Sequence, residues 1–391
     1  MGCLYSAKTS LSRREWITAA AGLAAVPAAG SAPTAPVAIE RCPDYGSELL
    51  PAMERLFDRI GGLGRLVQGK TVALKVNMTG GADQRLAHYT AEDTYWTHPA
   101  LTGVVVHLMG RAGARRIRVI ESFATGADPL EEHMLMAGWE PNDILRAAPK
   151  VEIENTGFLG YGKSYSRLKV PGGGYVYPAF DLNHSYEDCD VFVSIAKLKE
   201  HATAGVTIAM KNLFGIAPPT IYGNGAGVDE PALVPRGGRQ MFHTGYRQPS
   251  RSAPPENDAS TPREGGYRVP RIVVDLVAAR PIDLSIVDGI WTMTTGEGPW
   301  IGTRFGGRAA QVKPGVLIAG TNPVCTDAVG TAVMGFDPMA ERGSTPFEEC
   351  DSTLKLAEDA GIGTRDLRRI EVAGAPIRDV AISFRGAARR S

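Results

Sequence analysis

Short, almost uninterrupted apolar runs alternate along this chain with segments whose apolar residues recur at helical spacing, and that alternation restricts what it can fold into. Residues 71–76, 117–120, 191–195, 283–287 and 315–319 form the runs; residues 99–111, 129–137, 269–279 and 354–360 carry the helical pattern. A strand that is apolar on both faces of its pleat must be covered on both faces, as in a parallel sheet lying between helices. The expected fold is therefore α/β, a mainly parallel sheet flanked by helices. Gly172-Gly173-Gly174 inside residues 167–177 adds an expected antiparallel hairpin, and residues 370–372 a late strand. Residues 217–266 are rich in Gly, Pro and polar side chains with no period. A Gly/Pro-rich loop insert of that length is expected to be functional or disordered rather than a plain connection.

Ligands of open α/β sheets collect at the carboxyl ends of strands, so polar residues that directly follow apolar runs carry the functional expectation. These are Lys75 and Asn77; Lys197, Lys199 and His201; Asp288; and Asn322 with Asp327. Lys197, Lys199 and His201 alternate, and on one extended strand they would share a face. Residues 202–212 read as a short helix ending in Lys211 and Asn212, whose free N–H groups would point to the same junction and favour an anion. Each of these residues also has a structural reading, since lysines flank strands as solvated gatekeepers and complement helix C-termini. The cluster is what points to a ligand. Glu297 sits on a glycine-flanked loop, Thr295-Gly296-Glu297-Gly298-Pro299, that permits close approach to one.

Cations, an imidazole and a carboxylate around one cleft suit proton transfer on a small anionic molecule. Lys75, Asn77, Lys197, Lys211 and Asn212 would bind its carboxylate or phosphate, while Lys199, His201 and Glu297 would be catalytic. A lysine desolvated beside other cations would instead serve as a Schiff-base amine, and the sequence does not say which one. Asp288 and Asp327 are candidate metal ligands together with Glu297 and a histidine; each also reads as a turn or capping residue. With 42 basic and 42 acidic residues, the chain has no net charge and lacks the overall field of a nucleic-acid binder. Any anion preference is local.

The amino-terminal segment Ser12-Arg13-Arg14-Glu15-Trp16-Ile17 resembles the twin-arginine consensus. It precedes an alanine-rich apolar run over residues 17–26, too short to span a bilayer, and small residues that offer cleavage sites. Residues 1–35 are expected to be a signal peptide and residues 36–391 the α/β domain. The twin-arginine export machinery is then a partner, the location is periplasmic or otherwise exported, and no membrane span remains after cleavage. That route implies a bound cofactor of unknown identity. Cys42, Cys189, Cys325 and Cys350 are widely spaced with no C-x-x-C pair, which fits buried thiols or a disulfide formed after export.

The run Lys197-Leu198-Lys199-Glu200-His201 followed by Lys211-Asn212-Leu213-Phe214-Gly215 resembles the hallmark segment of the domain of unknown function 362 family. Lys75-Val76-Asn77, His98-Pro99, Asp288-Gly289, Gly296-Glu297-Gly298-Pro299, Pro323-Val324-Cys325-Thr326-Asp327-Ala328 and Gly335-Phe336-Asp337-Pro338 extend the resemblance over about residues 70 to 340. The resemblance implies that His243 is delivered to the site by the insert. Asn322 stands where relatives often have Asp, and the ferredoxin-like cysteine repeats of some relatives have no counterpart here. The expected function is an exported enzyme acting on a small anionic substrate by Lys/His/Glu acid–base chemistry. The alternative is a non-catalytic carrier or maturation protein holding a metal, an iron–sulfur cluster or an anionic cofactor.

Overall fold

The strands, in chain order, are β1 (Val37–Arg41), β2 (Thr71–Lys75), β3 (Arg116–Glu121), β4 (Val151–Asn155), β5 (Tyr165–Lys169), β6 (Ala179–Asn183), β7 (Val191–Lys197), β8 (Lys199–His201), β9 (Gly205–Thr207), β10 (Leu284–Gly289), β11 (Thr292–Met293), β12 (Gln311–Val312), β13 (Val316–Gly320) and β14 (Val372–Gly374). They come from a computed structural model that describes residues 32–124, 126–160, 162, 164–299 and 309–387. The twin-arginine motif lies outside the described residues.

Eight strands form one sheet in the order β14-β1-β13-β10-β7-β2-β3-β4. Every pairing in it is parallel except those of β13, which runs against both β1 and β10. The expected mainly parallel α/β sheet is present, and the all-buried pattern of β7 shows why its sequence is a continuous apolar run. Val191, Val193 and Ile195 pack into the core with helices Leu49–Arg59 and Pro99–Arg111, whereas Phe192 packs into the opposite core with helices Gly265–Ala279 and Pro323–Val333. The expected hairpin is β5–β6, joined through Gly172, Gly173 and Gly174 at φ 76°, 95° and 73°. No helix among the described residues is long and apolar enough to cross a membrane.

One local expectation is corrected, and the state of the insert, open in the sequence, is defined. Residues 202–212 are not one helix: Gly205–Thr207 pairs back on Lys199–His201 as a tight ribbon, and only Ala209–Asn212 is helical. Gly205 is the reason, with φ 72° and an imagined Cβ only 2.3 Å from the Phe347 ring. Residues 217–266 are not structureless either. They contain the single-turn helices Pro219–Tyr222 and Gln240–His243, and are anchored by buried Ile221, Tyr222, Met241 and Phe242. Tyr222 and Phe242 meet at 4.9 Å between ring centroids, so a few aromatic anchors replace a regular hydrophobic pattern.

Candidate active site

The carboxyl ends of β2, β3 and β7 and the β8–β9 ribbon enclose a cavity of ≈ 80 Å³. Of the sequence candidates, Lys75, Asn77, Lys199, His201, Lys211, Asn212 and Glu297 line it, and Glu121 and Arg239 join them. Lys197, His243, Asp288 and Asp327 do not.

Lys75 forms the floor and its hydrogen-bonding capacity is filled. Its Nζ, 1% exposed with the rest of the residue, donates to Val76 O at 2.7 Å, Asn212 Oδ1 at 2.8 Å and Glu121 Oε2 at 3.0 Å. Burial pushes its pKa down, against the opposing pull of Glu121. Glu121 also accepts the amides of Met78 and Ser122. Asn212 returns its Nδ2 to Ser194 Oγ at 3.0 Å and Ile195 O at 3.2 Å, tying helix Ala209–Asn212 to β7. Asn77 donates to Tyr95 O at 2.8 Å. These residues form part of the cavity wall.

Three cationic groups face the cavity without a dedicated carboxylate. Lys199 Nζ donates to Glu297 O at 3.0 Å and to Thr207 Oγ1 at 3.4 Å. Lys211 Nζ lies 4.1 Å from the centroid of the Phe214 ring and has no hydrogen bond or ion pair among the described residues. Burial lowers both lysines to about 7; the nearby Glu297 opposes the shift, while neighbouring cations add to it. Arg239 reaches in from the insert, its Nε donating to Ala217 O at 2.6 Å and its Nη2 to Ser122 O at 2.7 Å. Burial brings its pKa to about 10, so it remains a cation at neutral pH. Nothing in the sequence singled out Arg239, because only the packing of the insert brings it to the sheet. Glu121 had a usable signal as the polar residue ending the run 117–120.

His201 and Glu297 meet on the ribbon side. His201 Nδ1 accepts the Thr203 amide at 3.1 Å and lies 3.7 Å from Glu297 Oε2. Accepting at Nδ1 leaves the proton of the neutral ring on Nε2. Glu297 Oε2 also accepts the Ala202 amide at 3.0 Å. The loop behind it is strained: Thr295, β-branched and 1% exposed, has φ 66°. Its amide donates to Glu200 Oε2 at 2.7 Å, and Glu200 is itself paired with Arg385 of the last helix.

The remaining candidates stand elsewhere. Lys197 continues the face of Val193 and Ile195, opposite in orientation to what alternation with Lys199 implied, because β7 ends at Lys197 and the chain turns at Leu198. There Lys197 and Asp288, both 0% exposed, pair at 3.0 Å, with Tyr45 OH bonded to both. Asp288 is therefore committed to its own ion pair and turn rather than to a ligand cluster. Asp327 accepts the amides of Ala209 and Met210 at 2.9 and 3.0 Å. It caps the amino end of helix Ala209–Asn212, which starts seven residues after the helix start expected at residue 202. Asn322 caps helix Pro323–Val333 at the opposite end of the strands, where the reversal of the interior strand β13 carries it. His243 stacks edge-on to Phe214 at 5.1 Å, behind the cavity wall, and burial with the nearby Lys211 lowers its pKa to about 4. No group of three or more His, Cys, Asp or Glu among the described residues is arranged to hold a metal ion, and the four cysteines outside the first 31 residues are free thiols.

The sheet and its small cationic cleft define an α/β protein with a ligand-sized site at the strand carboxyl ends. Residues 72–332 match the family model described as Domain of unknown function (DUF362), and the chain belongs to that family. A thylakoid-associated protein of Synechocystis sp. is 26% identical over 186 residues, 46% of this chain and 50% of that protein. The chain thus spans about half the length of this curated relative. The lactate racemase apoprotein from Thermoanaerobacterium thermosaccharolyticum is similar over 66% of this chain and 50% of its own, at 12% identity and a TM-score of 0.34. A structural-genomics protein from Thermotoga maritima gives 14% identity, a TM-score of 0.32, and 65% and 52% coverage. At such TM-scores neither structure bears on what the cleft does.

Proposed function

We propose that the cleft binds a small carboxylate or phosphate and that the protein is an enzyme transferring a proton on it. The observation that carries this is the charge inventory of the cavity wall: Lys75 is neutralised by Glu121, and the cations Lys199, Lys211 and Arg239 then face the single carboxylate of Glu297. An anion balances that excess in a site where low polarity strengthens the attraction. Arg239 holds it, and the protonated fraction of Lys211 adds to the attraction. Lys199, poised near neutrality, and the His201–Glu297 pair are the proton donors and acceptors.

Calorimetric titration with oxalate and with phosphate tests the anion site. Binding is expected to be tightest near pH 6 and to weaken as the two lysines lose their protons through about 7. Arg239→Met should weaken binding at least tenfold, about 1.4 kcal/mol. Affinity that is flat across that range, or indifferent to Arg239, would sink the reading. The twin-arginine motif at Arg13 and Arg14 supports action outside the cytoplasm. Replacing both with lysine is expected to hold the protein in the cytoplasmic fraction; undiminished export would refute that location route.

A further inference from the structure

Among the four lysines at this end of the sheet, hydrogen bonding separates one from the rest. Lys75 and Lys197 each have three acceptors, and Lys199 has two. Lys211 has none among the described residues, lines the cavity, and rests against the face of Phe214. A carboxylate partner would hold its nitrogen as an ammonium. Here the surroundings are Phe214, His243 and the cations Lys199, Arg239 and Lys75, with Glu297 the nearest opposing charge. Arg239, beside it on the wall, uses Nε and Nη2 for main-chain and Ser122 oxygens and leaves Nη1 without a partner among the described residues.

We propose that Lys211 is a nucleophilic amine that condenses with the carbonyl carbon of a small 2-oxo carboxylate, whose carboxylate group is held by Arg239. This rests on the anion-site reading above and names its substrate class. The Lys211 lone pair forms the C–N bond as the carbonyl π pair moves to oxygen and takes up a proton. The nitrogen then gives up one proton, the hydroxyl oxygen takes up that second proton, the C–O bond breaks as the nitrogen lone pair forms the C=N bond, and the oxygen leaves as water, so amine, ketone and one proton from the acid yield a protonated imine and water with no external oxidant or reductant. Glu297 and His201 are placed to carry the protons between nitrogen and leaving oxygen. The lowered basicity of Lys211, to about 7, leaves a large fraction of it unprotonated at neutral pH. A cavity of ≈ 80 Å³ is of a size for a short oxo acid.

The test is reductive trapping of the full chain with pyruvate or glyoxylate and cyanoborohydride, read by intact mass and peptide mapping. One adduct per chain is expected on the peptide carrying Lys211, falling at least about tenfold in Lys211→Arg and persisting in Lys169→Arg, a change at an exposed lysine of β5 away from the cavity. Peptide mapping of the unaltered protein assigns the site even if Lys211→Arg folds poorly. An adduct on Lys199, or one spread over surface lysines, overturns the proposal. Absence of an adduct with calorimetric pyruvate binding intact overturns the imine and leaves the anion site standing. Absence of both defeats the two readings together.

Discussion

Lys199, buried, and Lys211, partly buried, show how a desolvated amine links stability to function. An unfolded lysine titrates near its ordinary 10.5, and in the folded protein both are brought to about 7 by burial. Between those values the unfolded chain holds more protons than the folded one, so this contribution to stability rises with pH across the window and is most unfavourable below about 7. Lys199→Met removes the buried charge while keeping most of the volume. Its melting temperature is expected to exceed that of the parent by a few degrees near pH 6, with the gain shrinking towards pH 10. Differential scanning calorimetry at both pH values checks this; an equal gain at both would mean that the amine does not deprotonate in the fold. The two amines thus lower stability at neutral pH, as functional sites commonly do.

At the scale of elements, the site depends on joints rather than on regular structure. The β8–β9 ribbon presents Lys199, His201 and Thr207, the short helix Ala209–Asn212 presents Lys211, and the strained Thr295 loop presents Glu297. Several of the longer helices and strands were legible in the sequence because their apolar periods extend over many residues, as in Pro99–Arg111 and β7, whereas helix Leu49–Arg59 and strands β1 and β4 were not read. The ribbon was not. Its apolar and β-branched residues over 202–212 satisfy a helical spacing as well as an extended one, and the contact of Gly205 with Phe347 decides between them. The insert escaped for a related reason, since Tyr222, Met241 and Phe242 become anchors only once the core offers a place to bury them.

For the molecule as a whole, two cores on opposite faces of the sheet are joined at its centre by β7 and β10, and the Lys197–Asp288 pair crosses that junction without exposure to water. Tyr45 and the His98 amide complete its hydrogen bonds. Removing one partner leaves a charge uncompensated in the interior, so Asp288→Asn is expected to cost about 3–5 kcal/mol in urea unfolding. The double change Asp288→Leu with Lys197→Met should recover most of that loss, because it removes both charges. A single substitution without measurable cost would show that the pair is not the fastening the geometry indicates.

The sequence by itself determined the α/β class, the positions of several of the long elements, the family, and seven residues of the cleft wall: Lys75, Asn77, Lys199, His201, Lys211, Asn212 and Glu297. These follow from periodicity and from polar residues that terminate apolar runs, both of which are local. Tertiary structure alone decided that β13 runs backwards, that Lys197 and Asp288 neutralise each other on the far face, and that Asp327 caps the short helix Ala209–Asn212. It also brought Arg239 to the cavity. Each of those outcomes is a choice of partner between residues distant along the chain, made by burial and by the need to satisfy buried polar groups, and no local pattern specifies such a choice.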